Sequence, residues 1–96
     1  MSKIEINGPT SLPKEVLTNH LLELIQGRLI TIQEEKSGII HDIELFQKQY
    51  GYSDEIFLKK WDKGDLDDNQ DFFIWESSLR LLKKLKEEED ILREIM

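Results

Sequence analysis

Oxygen-bearing side chains between Asp65 and Glu76 stand at the spacing of a calcium-binding loop: Asp65, Asp67, Asn69 and Asp71 alternate, and Glu76 takes the twelfth place. An EF-hand loop uses this alternation to gather hard oxygen ligands around one ion, with a closing bidentate glutamate and a glycine at the sixth place for the sharp turn. Here the sixth place is Gln70, and Gly64, directly before Asp65, is a residue that ends a helix rather than one that runs into a loop. Both departures favour an acidic turn. In such a turn Asp68 or Asn69 caps the following helix, Asp71 meets the positive end of its dipole, and Glu76 lies on an exposed face. Phe72, Phe73 and Trp75 then anchor a core.

Two other groupings could hold a metal. His20 and Glu23, and again His41 and Glu44, place a histidine three residues before a glutamate on one helical face. The two histidines are separated by about 30 Å of helix, so one ion cannot reach both, and both fall opposite the apolar face that a buried site requires. Surface histidines are the expectation. The few serines and threonines sit at caps or scattered positions with no base and acid arranged around them, and no glycine-rich phosphate loop is present. No enzymatic activity, metal site or cofactor is expected.

Bulk properties narrow the partners. Thirteen basic against twenty acidic residues leave a net charge of −7, which repels phosphate backbones and anionic lipid and favours a basic partner. Nucleic acid is therefore disfavoured. The lysines in Lys83-Lys84-Leu85-Lys86 are followed at once by Glu87-Glu88-Glu89-Asp90, which reads as a solvated helix laced by lysine–acid pairs four apart. Without cysteine, disulfides, zinc–cysteine sites and thiol chemistry are excluded. The start MSKIEINGPT has no apolar core stretch, and no run of residues is apolar enough to span a bilayer, so a cytoplasmic protein without a membrane role is expected.

The elements that position these residues follow from periodicity and punctuation. Ninety-six residues make one domain, with residues 1–12 as an extended arm in which Ile4 and Ile6 alternate with charge like a short strand. Thr10-Ser11-Leu12-Pro13 starts a helix. Along it Leu22, Ile25, Leu29, Ile32, Lys36, Ile39, Ile43, Phe46 and Tyr50 recur at alternating steps of three and four, a heptad seam that favours one long packed helix. Leu21, Leu24, Ile40 and Leu45 widen the stripe, pointing to more than one neighbour. Lys36 is the polar exception in the seam, able to set register or to snorkel to solvent. Gly27 and Gly38 weaken the helix, and Ser37-Gly38 is where a bend would fall. Gly51 caps it in the left-handed conformation. Ser53 begins a short second helix ending at Lys63, with Ile56, Phe57 and Trp61 as its apolar face, and Gly64 stops it. A third helix runs from near Gln70 to the end, with one stripe at Trp75, Leu79 and Leu82 and an adjacent one at Leu81, Leu85, Leu92 and Ile95.

Tyr50-Gly51-Tyr52-Ser53, Phe57, Gly64-Asp65-Leu66-Asp67-Asp68, Asp71-Phe72-Phe73 and Trp75-Glu76 together resemble a family of small prokaryotic helical antitoxin-like proteins, encoded beside toxin genes and carrying a KYGMS…F…G.L.DD.D..EW signature. The likeness runs from near Phe46 to near Leu82, and departs from the signature at Gln49 and Tyr52, where lysine and methionine are the rule. The resemblance implies no catalytic residues. It implies an acidic subunit that binds and silences a cognate, RNase-like toxin.

An all-α fold is expected: an antiparallel hairpin of two long helices with a short helix at the turn and a short N-terminal strand in the arm, associating as a coiled-coil-like homodimer or with a partner. Leu22, Ile25, Leu29, Ile32, Ile39, Ile43, Phe46, Trp75, Leu79 and Leu82 are the expected helix-packing and oligomer surface. Asp62, Asp65, Asp67 and Asp68 are the expected partner-binding residues, masking a basic cleft of the toxin. The rivals are a structural coiled-coil adaptor without a toxin and a calcium-binding helical protein acting through residues 65–76.

Overall fold

The computed structural model describes residues 13–96; the expected strand in the arm and the Thr10–Leu12 helix start lie outside them. Three helices make up the described chain: α1 (Lys14–Tyr50), α2 (Asp54–Lys63) and α3 (Gln70–Ile95). No strand occurs among the described residues. Pro13 stands just ahead of α1 in extended backbone, where its missing N–H costs nothing. α1 then runs unbroken through Gly27 and Gly38, so the possible bend at Ser37-Gly38 does not interrupt it.

Both turns are cut where left-handed backbone is needed. Gly51 (φ 74°) closes α1 by donating its N–H to the Gln47 carbonyl, and Gly64 (φ 70°) closes α2 through the carbonyls of Lys60 and Trp61. A side chain at either position would be strained. The next helices begin on side-chain caps: Ser53 Oγ accepts from the Ile56 N–H at 3.2 Å, and Asn69 Oδ1 accepts from the Asp71 N–H at 2.9 Å.

α1 and α3 pack side by side as an antiparallel hairpin, fixed near the turn by Tyr50 against Asp71 and further down by Lys36 against Glu89. The result is a rod of 61 × 25 × 20 Å with a radius of gyration of 20.5 Å, against about 12 Å for a compact chain of this length. The apolar face of α1 explains the pairing. Ile25, Leu29, Ile32 and Ile43 are buried, and Leu22, Ile39, Phe46 and Tyr50 are half-buried.

The thickest core lies at the turn, where α2 joins the hairpin. Phe57 and Trp75 are both fully buried and stack with centroids 4.0 Å apart and planes 4° from parallel. Phe72 and Ile43 complete the buried cluster, with Phe46, Leu79 and Leu82 packed around it. The Trp75 indole N–H donates to Asp54 Oδ1 at 3.0 Å, and Gln47 donates to the same oxygen at 3.0 Å. One carboxylate at the start of α2 thereby ties α2 to both long helices.

Several expectations are corrected here. Phe73 is 52% exposed rather than a core anchor: Phe72 and Trp75 are three apart and share a face, while Phe73 stands about 100° from Phe72. Ile56 likewise leaves the apolar face of α2 to Phe57 and Trp61. The stripe-widening Leu21, Leu24, Ile40 and Leu45 are a different case: they are exposed in the single chain, as the expectation of a further neighbour requires. Glu89 is buried instead of standing in a solvated run, at 9% exposure.

Candidate functional site

The acidic turn Asp65–Asn69 joins α2 to α3. Asp62, Asp65, Asp67 and Asp68 are all exposed, and among the described residues none of them forms an ion pair. One positive-φ glycine, a backbone hydrogen bond and a cap position them: Gly64 turns the chain, the Asp65 N–H is held by the Lys60 carbonyl at 2.9 Å, and Asn69 fastens the start of α3.

Three of the five side chains proposed for calcium, Asn69, Asp71 and Glu76, are turned to other partners. Asn69 spends its carbonyl on the α3 cap and its amide on the Tyr50 hydroxyl at 2.9 Å. The Tyr50 hydroxyl in turn donates to Asp71 Oδ2 at 2.5 Å, a bond to a carboxylate that raises the tyrosine above its ordinary pKa. Glu76 is half-buried and grips Arg80 one turn on, at 2.5 Å. Among the described residues no set of three or more His, Cys, Asp or Glu side chains could hold a metal ion. His20 and His41 are both exposed.

The hydroxyls also have structural tasks. Thr18 and Thr31 each donate to the carbonyl four residues earlier, and Ser53 caps α2. None of these three is placed against a base.

Between α1 and α3 the seam carries a charged cluster around the buried Glu89. Lys36 Nζ meets Glu89 Oε1 at 2.7 Å, Arg93 reaches Oε2 at 2.9 Å, and Gln33 also donates to Oε2. Hydrogen bonds from Lys36 and Arg93 outweigh the burial that opposes ionisation, holding the Glu89 carboxyl at about 2, below its usual 4.5. A lysine in an apolar seam thus finds its carboxylate on the facing helix, which fixes one axial alignment of the hairpin. Nearby, Arg28 grips Glu88 through two bonds of 2.7 and 2.9 Å, lowering the glutamate and raising the arginine, and approaches Glu35 at 3.7 Å. The cross-helix bond from Arg28 replaces the Lys84–Glu88 pair expected within α3.

The two faces of the hairpin differ. α2 covers the side marked by Gln47 on α1 and by Leu79 on α3. Asp42 lies about 140° around α1 from Gln47, and Leu81 about 160° around α3 from Leu79. The groove that Asp42 and Leu81 line with Glu35 and Gly38 is therefore on the side away from α2. On this open side Ile74, Leu81, Glu88 and Ile95 recur every seven residues along α3, and the three apolar ones are exposed. Leu17 and Leu24, also seven apart, are exposed on α1.

Among the described residues no helix is long and apolar enough to cross a membrane. Compared with family models, curated proteins and solved structures, the chain matches none of them.

Proposed function

We propose that this chain is a protein-binding subunit of the antitoxin type, which neutralises a cognate toxin by masking it. The observation that carries the proposal is the uncovered apolar row on the hairpin face away from α2. Ile74, Leu81 and Ile95 expose 45%, 48% and 58% of their surface, and a row of this kind marks a surface that another chain covers. Homodimer formation through this face, or a partner helix laid along it, is the corresponding assembly. The acidic corner adds direction: Asp62, Asp65, Asp67 and Asp68 would steer the chain toward a basic cleft and speed encounter. The identity of the partner class rests on the resemblance of Tyr50–Glu76 to antitoxin-like proteins. Contact, with no catalytic step, is the proposed activity.

A second proposal draws on one specific feature. Ile74, Ser78, Leu81, Leu85, Glu88, Leu92 and Ile95 follow alternating steps of four and three; Leu85 is buried and Glu88 is bonded to Arg28 of α1, while Ile74, Leu81 and Ile95 stay exposed along the edge of this seam, where a further helix of an adaptor that only oligomerises would pack. Co-expression with the product of the neighbouring gene separates the two. A neutralising subunit restores growth that the neighbour suppresses and co-purifies with it. An adaptor forms homo-oligomers and leaves growth unchanged.

A further inference from the structure

Phe73 stands out among the four phenylalanines. Phe57 and Phe72 are buried and Phe46 is half-buried, while Phe73 is open to solvent beside the acidic turn. It is not loose there: its ring meets Trp61 edge to face, with centroids 5.1 Å apart and planes at 85°. Trp61 belongs to the last turn of α2 and Phe73 to the first turn of α3, and Gly64 brings the chain round between them. The two rings, with Gly64, Leu66, Asp67 and Asp68, line a notch of about 210 Å³.

Size and charge decide what such a notch would take. It falls short of the roughly 300–1,000 Å³ of a small-molecule site, so the head of one side chain suits it better than a whole metabolite. Aromatic faces attract cations through their quadrupole. The adjoining carboxylates have no ion-pair partner among the described residues. The neighbouring Lys60 is engaged elsewhere, its ammonium 5.5 Å from the Tyr52 ring centroid. Of the two basic side chains, arginine fits better: its planar guanidinium stacks on a ring while its edge offers two parallel donors to a carboxylate, which an ammonium cannot do.

We infer that the Trp61–Phe73 notch is an anchor site for an arginine side chain presented by a basic protein partner. This deepens the masking proposal and rests on it: the exposed aspartates draw the partner in, and the notch holds it by one residue. Arginines held in aromatic pockets are among the residues that carry a large share of interface affinity.

The test uses the full chain and three labelled peptides, oligo-arginine, oligo-lysine and oligo-citrulline, at about 0.15 M salt, where long-range attraction between exposed charges is largely screened. Binding is followed by anisotropy, and the Phe73 ring and Trp61 indole signals by NMR. Oligo-arginine is expected to bind more tightly than oligo-lysine, to shift both aromatic signals, and to leave oligo-citrulline as a non-binder. Phe73→Leu keeps an apolar side chain at a half-exposed position but removes the ring, and is expected to weaken oligo-arginine binding about ten-fold. The Asp67→Asn/Asp68→Asn variant is expected to weaken it as well. Equal affinity for the two basic peptides with no effect of Phe73→Leu would overturn the anchor and leave a diffuse charge patch. No binding of oligo-arginine would overturn it too. Growth rescue by the chain with the neighbouring gene product is a separate readout, so the anchor and the neutralising role can fail independently.

Discussion

Removing the Phe57 ring should release α2 from the hairpin. Phe57 is the one buried residue of α2, stacked on Trp75 at 4.0 Å and bordered by Phe72 and Trp61 at 5.9 and 6.0 Å. Truncation of a fully buried phenylalanine to alanine costs about 3–5 kcal/mol, the lost transfer energy plus the cavity left behind. A folded chain of this length has about 5–14 kcal/mol in total, so the substitution removes a large fraction of it. What remains to hold α2 is the half-buried packing of Leu58 and Trp61 and the Asp54 carboxylate with its bonds to Gln47 and Trp75, each worth about 1 kcal/mol net. Urea unfolding followed by tryptophan fluorescence measures the loss, and amide exchange locates it in α2. Ile56→Ala is the internal control: Ile56, the neighbour of Phe57 in sequence, is 48% exposed, and its truncation should cost about 1 kcal/mol or less. Equal losses for the two variants, or unchanged exchange protection in α2, would refute the account of how the corner is held.

Other expectations follow from the same contacts. Glu89 titrates at about 2 in the folded chain against a usual 4.5, so its stabilising contribution is complete above the unfolded value and is lost as pH falls toward the folded one; the urea midpoint should drop between about pH 5 and pH 2, and drop less in Glu89→Gln. A Cβ added at Gly27 or Gly38 meets nothing within 4 Å, so Gly27→Ala and Gly38→Ala should each stabilise by roughly 0.5–1 kcal/mol by thermal melting. Gly64→Ala, at φ 70°, should destabilise by about 1–2 kcal/mol in the same assay. Melting temperature should be the same in calcium and in chelator, because Asn69, Asp71 and Glu76 are bound to Tyr50, the α3 cap and Arg80; a calcium-dependent rise would restore the loop at 65–76 as an ion site.

Much of the framework was legible locally. Gly51, Ser53, Gly64 and Asn69 mark helix ends through properties of single residues, left-handed backbone or a capping oxygen, and those properties do not depend on what packs nearby. The α1 seam was legible because steps of three and four define a face whatever covers it. Which partner answers a residue was not. Lys36 stood out as a charge in an apolar row, yet its carboxylate, Glu89, was assigned to solvent with the rest of the run 87–90, because Glu87, Glu88 and Asp90 each stand four residues from a lysine within α3. A choice between Lys–Glu pairs along one helix and pairs across two depends on the axial alignment of the helices, which spacing in sequence does not encode. Phe73 was misplaced for a different reason. Composition alone grouped it with Phe72 and Trp75, although helical geometry cannot turn three such closely spaced rings to one face. The aspartates at 62, 65, 67 and 68 could be found from charge, whereas the notch they border needed α2 and α3 brought together.

The central claim is that the hairpin leaves a face for another polypeptide to cover. Light scattering on the purified full chain at micromolar concentration, alone and with the product of the neighbouring gene, tests it most directly. A mass of two chains alone, or of a stable complex with the neighbour, is expected. A well-folded single chain that stays monomeric in both samples would contradict it.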